Sequence, residues 1–296
     1  MWLDMKTKGI ILAAGKGTRL MPATLPASKP LLPLYDKPMI YYPLETLVRL
    51  GIKDILFIVQ EDDLSIFKKT FGTGSKVGLN FSYEIQKIQR GIADAYFIAE
   101  KFLDGSPSVL ALSDNIFLGK KYFNYAEEAL NKMLQIGSSV FGLTVPNPEK
   151  FGVIEFDDND NIIGIEEKPT QPQSNLIIPG IYFFDSNACE LVKTLKPSVR
   201  GELEITDLIE IYLSQNKLSF QRLDETIAWH DTGNAEDLLE AAQKVKNYEI
   251  ENKIKMGSYE IAAYEKGFID KEGLLKIAKK FSQSEYGQYI KNVYLI

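Results

Sequence analysis

Short apolar runs and stretches of helical spacing alternate through residues 8–145, and few folds accept that order. Runs at 8–13 (KGIILA), 54–60 (DILFIVQ), 79–86, 108–112 and 139–145 read as strands. Residues 41–50, 64–71, 92–102 and 123–134 carry helical spacing, with Gly51 and Gly72 as stop signals. A strand followed by a helix before the next strand crosses over to a parallel neighbour. The pattern therefore predicts an α/β fold with a doubly wound, mainly parallel, Rossmann-like sheet. Such sheets bind ligands beyond the carboxyl ends of their strands, near a reversal of strand order. Ala14, Gln86 and Ser113-Asp114-Asn115 fall at those ends.

Between the first strand and the first helix, a proline-rich stretch is too interrupted for a long helix and predicts an ordered loop over the sheet. The alternation stops at Pro146. Short strands at 153–156 and 162–166 then flank Asp157-Asp158-Asn159-Asp160-Asn161. That acidic run lacks the glycine a calcium loop needs at its sixth position, so it is expected to be a solvated turn. Helical stretches at 186–195 and 205–214 come with two further strands, and 235–253 is a long helical stretch. The remainder predicts a C-terminal helical appendage. No internal repeat or low-complexity linker separates these parts.

A formal net charge of -6 argues against a nucleic-acid-binding surface. An acidic chain can still hold phosphates, provided local Lys, Arg, backbone N–H groups or a metal do the work. Cys189 is the only cysteine, which excludes an intrachain disulfide and a cysteine-based zinc site. His230 is the only histidine, which argues against a Ser-His-Asp triad and against multi-histidine metal sites. The first six residues lack the apolar run of a signal peptide, and no run of roughly 18 apolar residues occurs. The expectation is a cytoplasmic protein with no membrane partner.

Gly9-Ile-Ile-Leu-Ala-Ala-Gly15-Lys16-Gly17 looks like a phosphate loop but fails the standard templates. Five residues separate Gly9 from Gly15 where four are required, and Gly17 stands where Ser or Thr must hold magnesium. Gly15-Lys16-Gly17-Thr18-Arg19-Leu20 lacks the third glycine of the dinucleotide fingerprint, which makes a nicotinamide-dependent oxidoreductase a poor fit. Chemistry is more generous than the templates. A strand running into such a loop can cradle a polyphosphate with backbone N–H groups, with Arg19 as a bidentate partner and Lys29 as a mobile charge.

Leu12-Ala-Ala-Gly-Lys-Gly-Thr-Arg-Leu20 followed by Ser28-Lys29-Pro30 resembles the nucleotide-binding segment of bacterial sugar nucleotidylyltransferases. Tyr35-Asp-Lys-Pro-Met-Ile-Tyr-Tyr-Pro-Leu44, Ser113-Asp-Asn-Ile-Phe117, Glu166-Glu-Lys-Pro169 and Arg200-Gly-Glu-Leu-Glu-Ile-Thr-Asp207 narrow the likeness to glucose-1-phosphate thymidylyltransferases. Trp229-His-Asp-Thr-Gly233 and a tail from Lys266-Gly-Phe-Ile-Asp270 to Tyr286-Gly-Gln-Tyr289 complete a series that runs in order from about Lys8 onward.

The resemblance implies transfer of a nucleotidyl group from dTTP to α-D-glucose-1-phosphate, giving dTDP-glucose and pyrophosphate, a first step toward dTDP-deoxysugars such as dTDP-rhamnose. It implies a nucleotide-binding core over 8–145, a smaller strand-rich sugar-phosphate part over 146–233, and an oligomeric or regulatory helical region over 234–296. Leu12, Ala13, Ala14, Gly15, Gly17, Thr18, Gln86, Gly91 and Asp114 would bind the nucleotide, with Gln86 reading the pyrimidine edge. Asn115, Gly152, Glu167, Lys168, Gly180 and Arg200 would hold the sugar phosphate. Arg19, Lys29 and Lys168 would be catalytic, and Asp114 with Asp231 would bind Mg²⁺. A homotetramer, and feedback inhibition by a dTDP-deoxysugar, are implied as well. Four positions depart from the usual pattern: Ala14, Asp94, Ser113 and His230. Ala14 is shared with uridylyltransferases and leaves UTP open as the donor. A catalytically inactive nucleotide-sugar sensor is the rival of another class. His230 is expected to face away from the site, since strand side chains alternate.

Overall fold

The computed structural model describes residues 6–159 and 161–295. Strand β1 (Lys8–Ala13) leads into the glycine loop, and a small hairpin of β2 (Pro33–Leu34) and β3 (Lys37–Pro38) interrupts the proline-rich connection before α1 (Tyr41–Arg49). Then come β4 (Asp54–Val59), α2 (Leu64–Phe71), β5 (Asn80–Ile85), α3 (Asp94–Leu103) and β6 (Ser108–Leu112). β7 (Asn115–Leu118) and α4 (Tyr122–Ile136) precede β8 (Ser138–Thr144). The next stretch holds β9 (Gly152–Phe156), β10 (Ile162–Glu167), β11 (Leu176–Ile178), β12 (Ile181–Phe184), α5 (Ala188–Val192), α6 (Ile205–Ser214), β13 (Leu218–Arg222) and β14 (Ala228–Asp231). Helices α7 (Ala235–Asn252), α8 (Tyr259–Glu265), α9 (Lys271–Lys280) and α10 (Glu285–Ile290) follow.

Among the described residues, ten strands form the central sheet in the order β10-β9-β11-β8-β12-β6-β1-β4-β5, with β13 also paired to β8. The β6-β1-β4-β5 half is parallel throughout, as the alternating sequence predicts. β12 runs antiparallel between β6 and β8, and β11, β9 and β10 continue as an antiparallel arm. Counted by direction, β1, β4, β5, β6, β8, β9 and β13 point one way, so the sheet is mostly parallel with three strands reversed. β4 and β5 build outward on one side of β1 and β6 lies on the other. The reversal of strand order therefore opens a crevice between the ends of β1 and β6. Ser113 N–H donates to Leu12 O across it at 3.2 Å.

Successive residues of β1 point to opposite faces, so Ile11 and Ile10 enter two cores. Ile11 packs with Leu47, Phe57 and Phe67. Ile10 packs with Tyr96, Leu208 and Tyr212 on the other side. Burying each isoleucine contributes about 1.5–3 kcal/mol, which is why a strand covered by helices on both faces reads as a continuous apolar run. Tyr259, Ile261, Leu274 and Ile277 from the C-terminal helices join the Ile11 core, and Tyr41 meets Tyr259 edge-on at 5.0 Å. That region is continuous with the sheet's own packing.

Some local features differ from the sequence reading. The helix expected over 186–195 is only Ala188–Val192, and the one expected from 92 begins at Asp94. β7 carried no sequence signal; it is four residues long and buried throughout, so it lacks the alternation that betrays a half-buried strand. It pairs with β14 as a separate antiparallel ribbon, and Ile116 and Leu118 pack on Ala241 and Val245 of α7. In the acidic run, Asp157 Oδ1 accepts the N–H groups of Asn159 and Asn161, each at 2.9 Å, closing a turn; Asp160 lies outside the described residues, as do Met1–Met5 and Ile296. Among the described residues, no helix is long and apolar enough to cross a membrane.

Candidate active site at the ends of β1, β6 and β14

The register of the β7–β14 ribbon assembles the centre of the site. Asp231 stands opposite Asn115, the residue after Asp114, so two carboxylates remote in sequence share one corner. Burial first, and then the charge of Asp114, push the Asp231 carboxyl up to about 6, against the opposing pull of Lys29 and Arg19. Lys29, almost wholly buried, donates from Nζ to Asp114 Oδ2. A buried ammonium requires such a partner, because leaving it unpaired costs several kcal/mol. Asn115 Nδ2 donates to Asp114 Oδ1 at 3.1 Å, and the Thr232 hydroxyl donates to the Asp114 carbonyl at 3.3 Å.

The donor set suits a hard divalent cation of the magnesium type. Among the described residues, no three His, Cys, Asp or Glu side chains form a metal cage. Magnesium does not need one, since it takes one or two carboxylates and completes its shell with phosphate oxygens and water. Two mutually repelling carboxylates beside an open cleft fit that requirement. Asp114 and Asp231 are the residues that would hold the ion.

The cleft has a volume of about 540 Å³, and its walls include Arg19, Asp114, Asp231, Glu167 and Lys168. Glu167 and Lys168 arrive at the end of β10, directly across from Gly152 on β9. Lys168 has φ of 48°, the left-handed region that a non-glycine residue occupies at a cost of about 1–3 kcal/mol. Its N–H donates to the Phe151 carbonyl at 2.9 Å, which holds the turn. Burial pushes the Glu167 carboxyl up, while Lys168 and Arg200 oppose that shift. Thr206 Oγ1 donates to Glu167 Oε2 at 3.3 Å. A Cβ on Gly152 would come within 2.6 Å of Thr206 Cγ2, and one on Gly180 within 2.7 Å of the Asn115 amide. The protein's own packing thus excludes side chains at both positions.

Asn115 proves to be a structural hub as well as a lining residue. Its Oδ1 accepts from Gly180 N–H at 2.8 Å and from Trp229 Nε1 at 2.7 Å. Arg200 does not line the cavity. Its guanidinium sits among Glu167, Glu202 and Glu204 at 3.4, 3.1 and 3.5 Å.

At the β1 end, the Ala14 and Gly15 carbonyls accept side-chain bonds from Gln89 and Gln60. Among the described residues, the N–H groups of Gly15, Lys16, Gly17 and Thr18 have no protein acceptor, as an anion-binding loop requires. Gly17 has φ of 58°, and a Cβ there would meet Lys29 Cβ at 3.0 Å, so the loop is packed directly on Lys29. Leu12 and Ala13 are the last residues of β1. Arg19 lies in a short 3₁₀ turn with its guanidinium against Gly233. Gln86 follows β5 and Gly91 is wedged against the Leu203 carbonyl, 2.3 Å from a hypothetical Cβ; both lie outside the cavity lining.

His230 faces the other side of its strand. It pairs in register with Ile116, whose side chain packs on α7, and the charges that act on the ring are those of Glu240, Lys244 and Asp237. Burial pushes its imidazole below the usual range, and Nε2 is buried without a partner among the described residues. Sequence reasoning missed the contacts of Asp94 and the Trp229–Asn115 bond. The only signal for the first was that Asp94 departs from the usual residue.

Comparison with known proteins gives the same reading. The nucleotidyl transferase family pattern matches residues 8–248. A glucose-1-phosphate thymidylyltransferase of Neisseria meningitidis is 44% identical over 96% of this chain and 98% of its own length. One from Mycolicibacterium smegmatis is 41% identical over 96% of this chain and 97% of its own. A solved Bacillus anthracis protein assigned as a glucose-1-phosphate thymidylyltransferase, in complex with sucrose, superposes with a TM-score of 0.73 at 38% identity, covering 80% of this chain and 94% of that one. A UDP-glucose pyrophosphorylase at 24% identity and TM-score 0.71 shares the fold. With its fold shared and its length matched almost end to end, this chain belongs to the nucleotidyl transferase family, among the glucose-1-phosphate thymidylyltransferases.

Proposed function

We propose that the enzyme transfers a thymidylyl group from dTTP to α-D-glucose-1-phosphate by a single in-line displacement, releasing pyrophosphate. The observation that carries the reading is the Asn115–Asp231 register, which sets two carboxylates beside Lys29 and Arg19 at the mouth of a cleft containing Lys168. Near-full-length relatives that bear the thymidylyltransferase name support it.

A sugar phosphate is already a dianion near neutral pH, because its second pKa is about 6. Its oxygen can attack the α-phosphorus without a protein base, in keeping with a site that lacks histidine. The glycine loop N–H groups and Arg19 bind the triphosphate, Lys29 neutralises charge beside Asp114, and Lys168 orients the attacking phosphate. Glu167 accepts sugar hydroxyls. Asp114 and Asp231 would hold a magnesium ion, which would supply further charge neutralisation. Gln86 reads the base through its amide, and Gly91 lies beside it. Arg200 would join the sugar phosphate after exchanging a carboxylate partner for a phosphate oxygen.

The decisive experiment measures pyrophosphate release over a panel of triphosphates and sugar phosphates. Release with dTTP and glucose-1-phosphate, dependent on Mg²⁺, is expected. Dependence on UTP would transfer the enzyme to the uridylyl reading favoured by Ala14, and no release with any pair would leave a nucleotide-sugar sensor. The resemblance also implies a homotetramer inhibited by a dTDP-deoxysugar, which sedimentation and inhibition assays would test.

A further inference from the structure

Asp94 opens α3 and is essentially inaccessible, with 1% of its surface exposed, yet it touches none of the phosphate or sugar groups assigned above. Its two carboxylate oxygens are divided between two partners. Oδ1 accepts from the Arg90 guanidinium at 2.7 Å, and Oδ2 accepts from Gln86 Nε2 at 3.1 Å. Gln86 itself is buried. The connection between them is tied to Leu203: its N–H donates to Arg90 O at 2.6 Å, and Ala93 N–H donates to Leu203 O at 3.2 Å.

A side-chain amide has two unlike ends, an N–H donor end and a carbonyl acceptor end, and left alone it can present either one to a ligand. An ionised carboxylate has no such ambiguity, because it only accepts. Asp94 Oδ1 is already taken by the Arg90 guanidinium, and Oδ2 lies against the Gln86 amide. The Gln86 NH₂ must therefore face Asp94, which turns Oε1 away from it. Among the described residues, no protein donor reaches Oε1. An amide flip would set Oε1 against a buried carboxylate and leave both oxygens unsatisfied.

We infer that Asp94 is a positioning residue for base choice, fixing Gln86 so that it offers a carbonyl acceptor to the base and selects pyrimidines with an N3–H. This rests on the reading that Gln86 contacts the base. Thymine and uracil carry a donor N–H at N3 between two carbonyls. Cytosine carries a lone pair there, which would oppose Oε1. The second Gln86 N–H remains able to serve a neighbouring base carbonyl. The device separates imide pyrimidines from cytosine and is indifferent to the 5-methyl group.

The test is the ratio of kcat/KM for dTTP to that for dCTP, measured in wild type, Asp94→Ala, Asp94→Asn and Gln86→Ala with glucose-1-phosphate saturating. Asp94→Ala removes the orienting acceptor and is expected to lower the ratio about tenfold, the worth of one net hydrogen bond to a neutral partner. Asp94→Asn, which retains an acceptor oxygen, should fall in between and serves as the near-isosteric variant if the alanine protein does not fold. The KM for glucose-1-phosphate should stay unchanged in both, which a general structural defect would not allow. A Gln86→Ala ratio equal to wild type would defeat the base-reading role itself. A collapsed Gln86→Ala ratio beside unchanged ratios in the Asp94 variants would overturn the inference and leave that role standing.

Discussion

The parallel and antiparallel halves of the sheet build their shares of the cleft by different means. At the ends of β1 and β6, the candidate ligand-binding groups come from a local loop: N–H groups at 15–18 that are unpartnered among the described residues, a left-handed Gly17 and Lys29 packed beneath it. At the ends of β9 and β10 the groups are charged side chains held in a network. Glu167 meets Lys168 at 3.6 Å, Arg200 at 3.4 Å and Thr206 at 3.3 Å. A loop presents polyphosphate donors cheaply, since its N–H groups are there in any case. Specific hydroxyl and phosphate recognition in the second half needs several strands and loops in correct register. The loop end of the cleft is thus built largely from contiguous sequence and the opposite end from long-range order.

Substitutions on the two sides should therefore fail differently. The largest effect is expected at their junction: Asp114→Ala should lower kcat for pyrophosphate release by roughly 10²–10³ while circular dichroism stays native, because it removes charge organisation at the reacting phosphorus. Near-normal turnover would remove Asp114 from the mechanism. Lys168→Ala comes next. It should raise the KM for glucose-1-phosphate roughly 10- to 100-fold, the range of a charge-assisted hydrogen bond, with little change in the KM for dTTP. An equal rise for both substrates would erase the proposed division.

A smaller effect should appear in stability. The Asp231 carboxyl is raised by burial and by Asp114, so its ionised form penalises the metal-free fold. Stability from this group is fully present below its unfolded pKa near 4 and is lost as pH rises through about 6. Metal-free Asp231→Asn should therefore melt above wild type at about pH 7.5, by roughly 2–4 °C if about 1 kcal/mol is relieved. The difference should shrink as pH falls below 6. A constant difference across pH would assign the gain to something other than the charge. The smallest effect is expected for His230→Leu: an unchanged pH–rate profile and a stability change within about 1 kcal/mol, since the buried Nε2 has no bond to lose among the described residues. A shifted profile would bring the α7 side of the ribbon into the chemistry.

Much of the parallel half was legible because its signals are local. Apolar runs covered on both faces, helical spacing and glycine stops placed β1, β4, β6 and α2 within a residue of their observed limits. The glycine loop announced itself by following a strand. The short strand around Trp229 and His230 was legible, but β7 and its pairing with that strand were not, because four buried residues show no alternation and the partner lies more than a hundred positions away. For the same reason the structural commitments of Asn115 to Gly180 and Trp229 were invisible, although its place at a strand end was not. Asp94 was visible only as an unusual residue; its meaning required knowing that Gln86 and Arg90 both reach it.

By itself, the sequence determined the α/β class, the parallel core, the order of the site motifs and the family, since each depends on residues close together or on their order along the chain. Only the tertiary structure decided that Asp231 shares a corner with Asp114, that Arg200 rests among three carboxylates, and which end of Gln86 is free. Those outcomes depend on register and on the satisfaction of buried charges, which arise only when distant segments exclude water together.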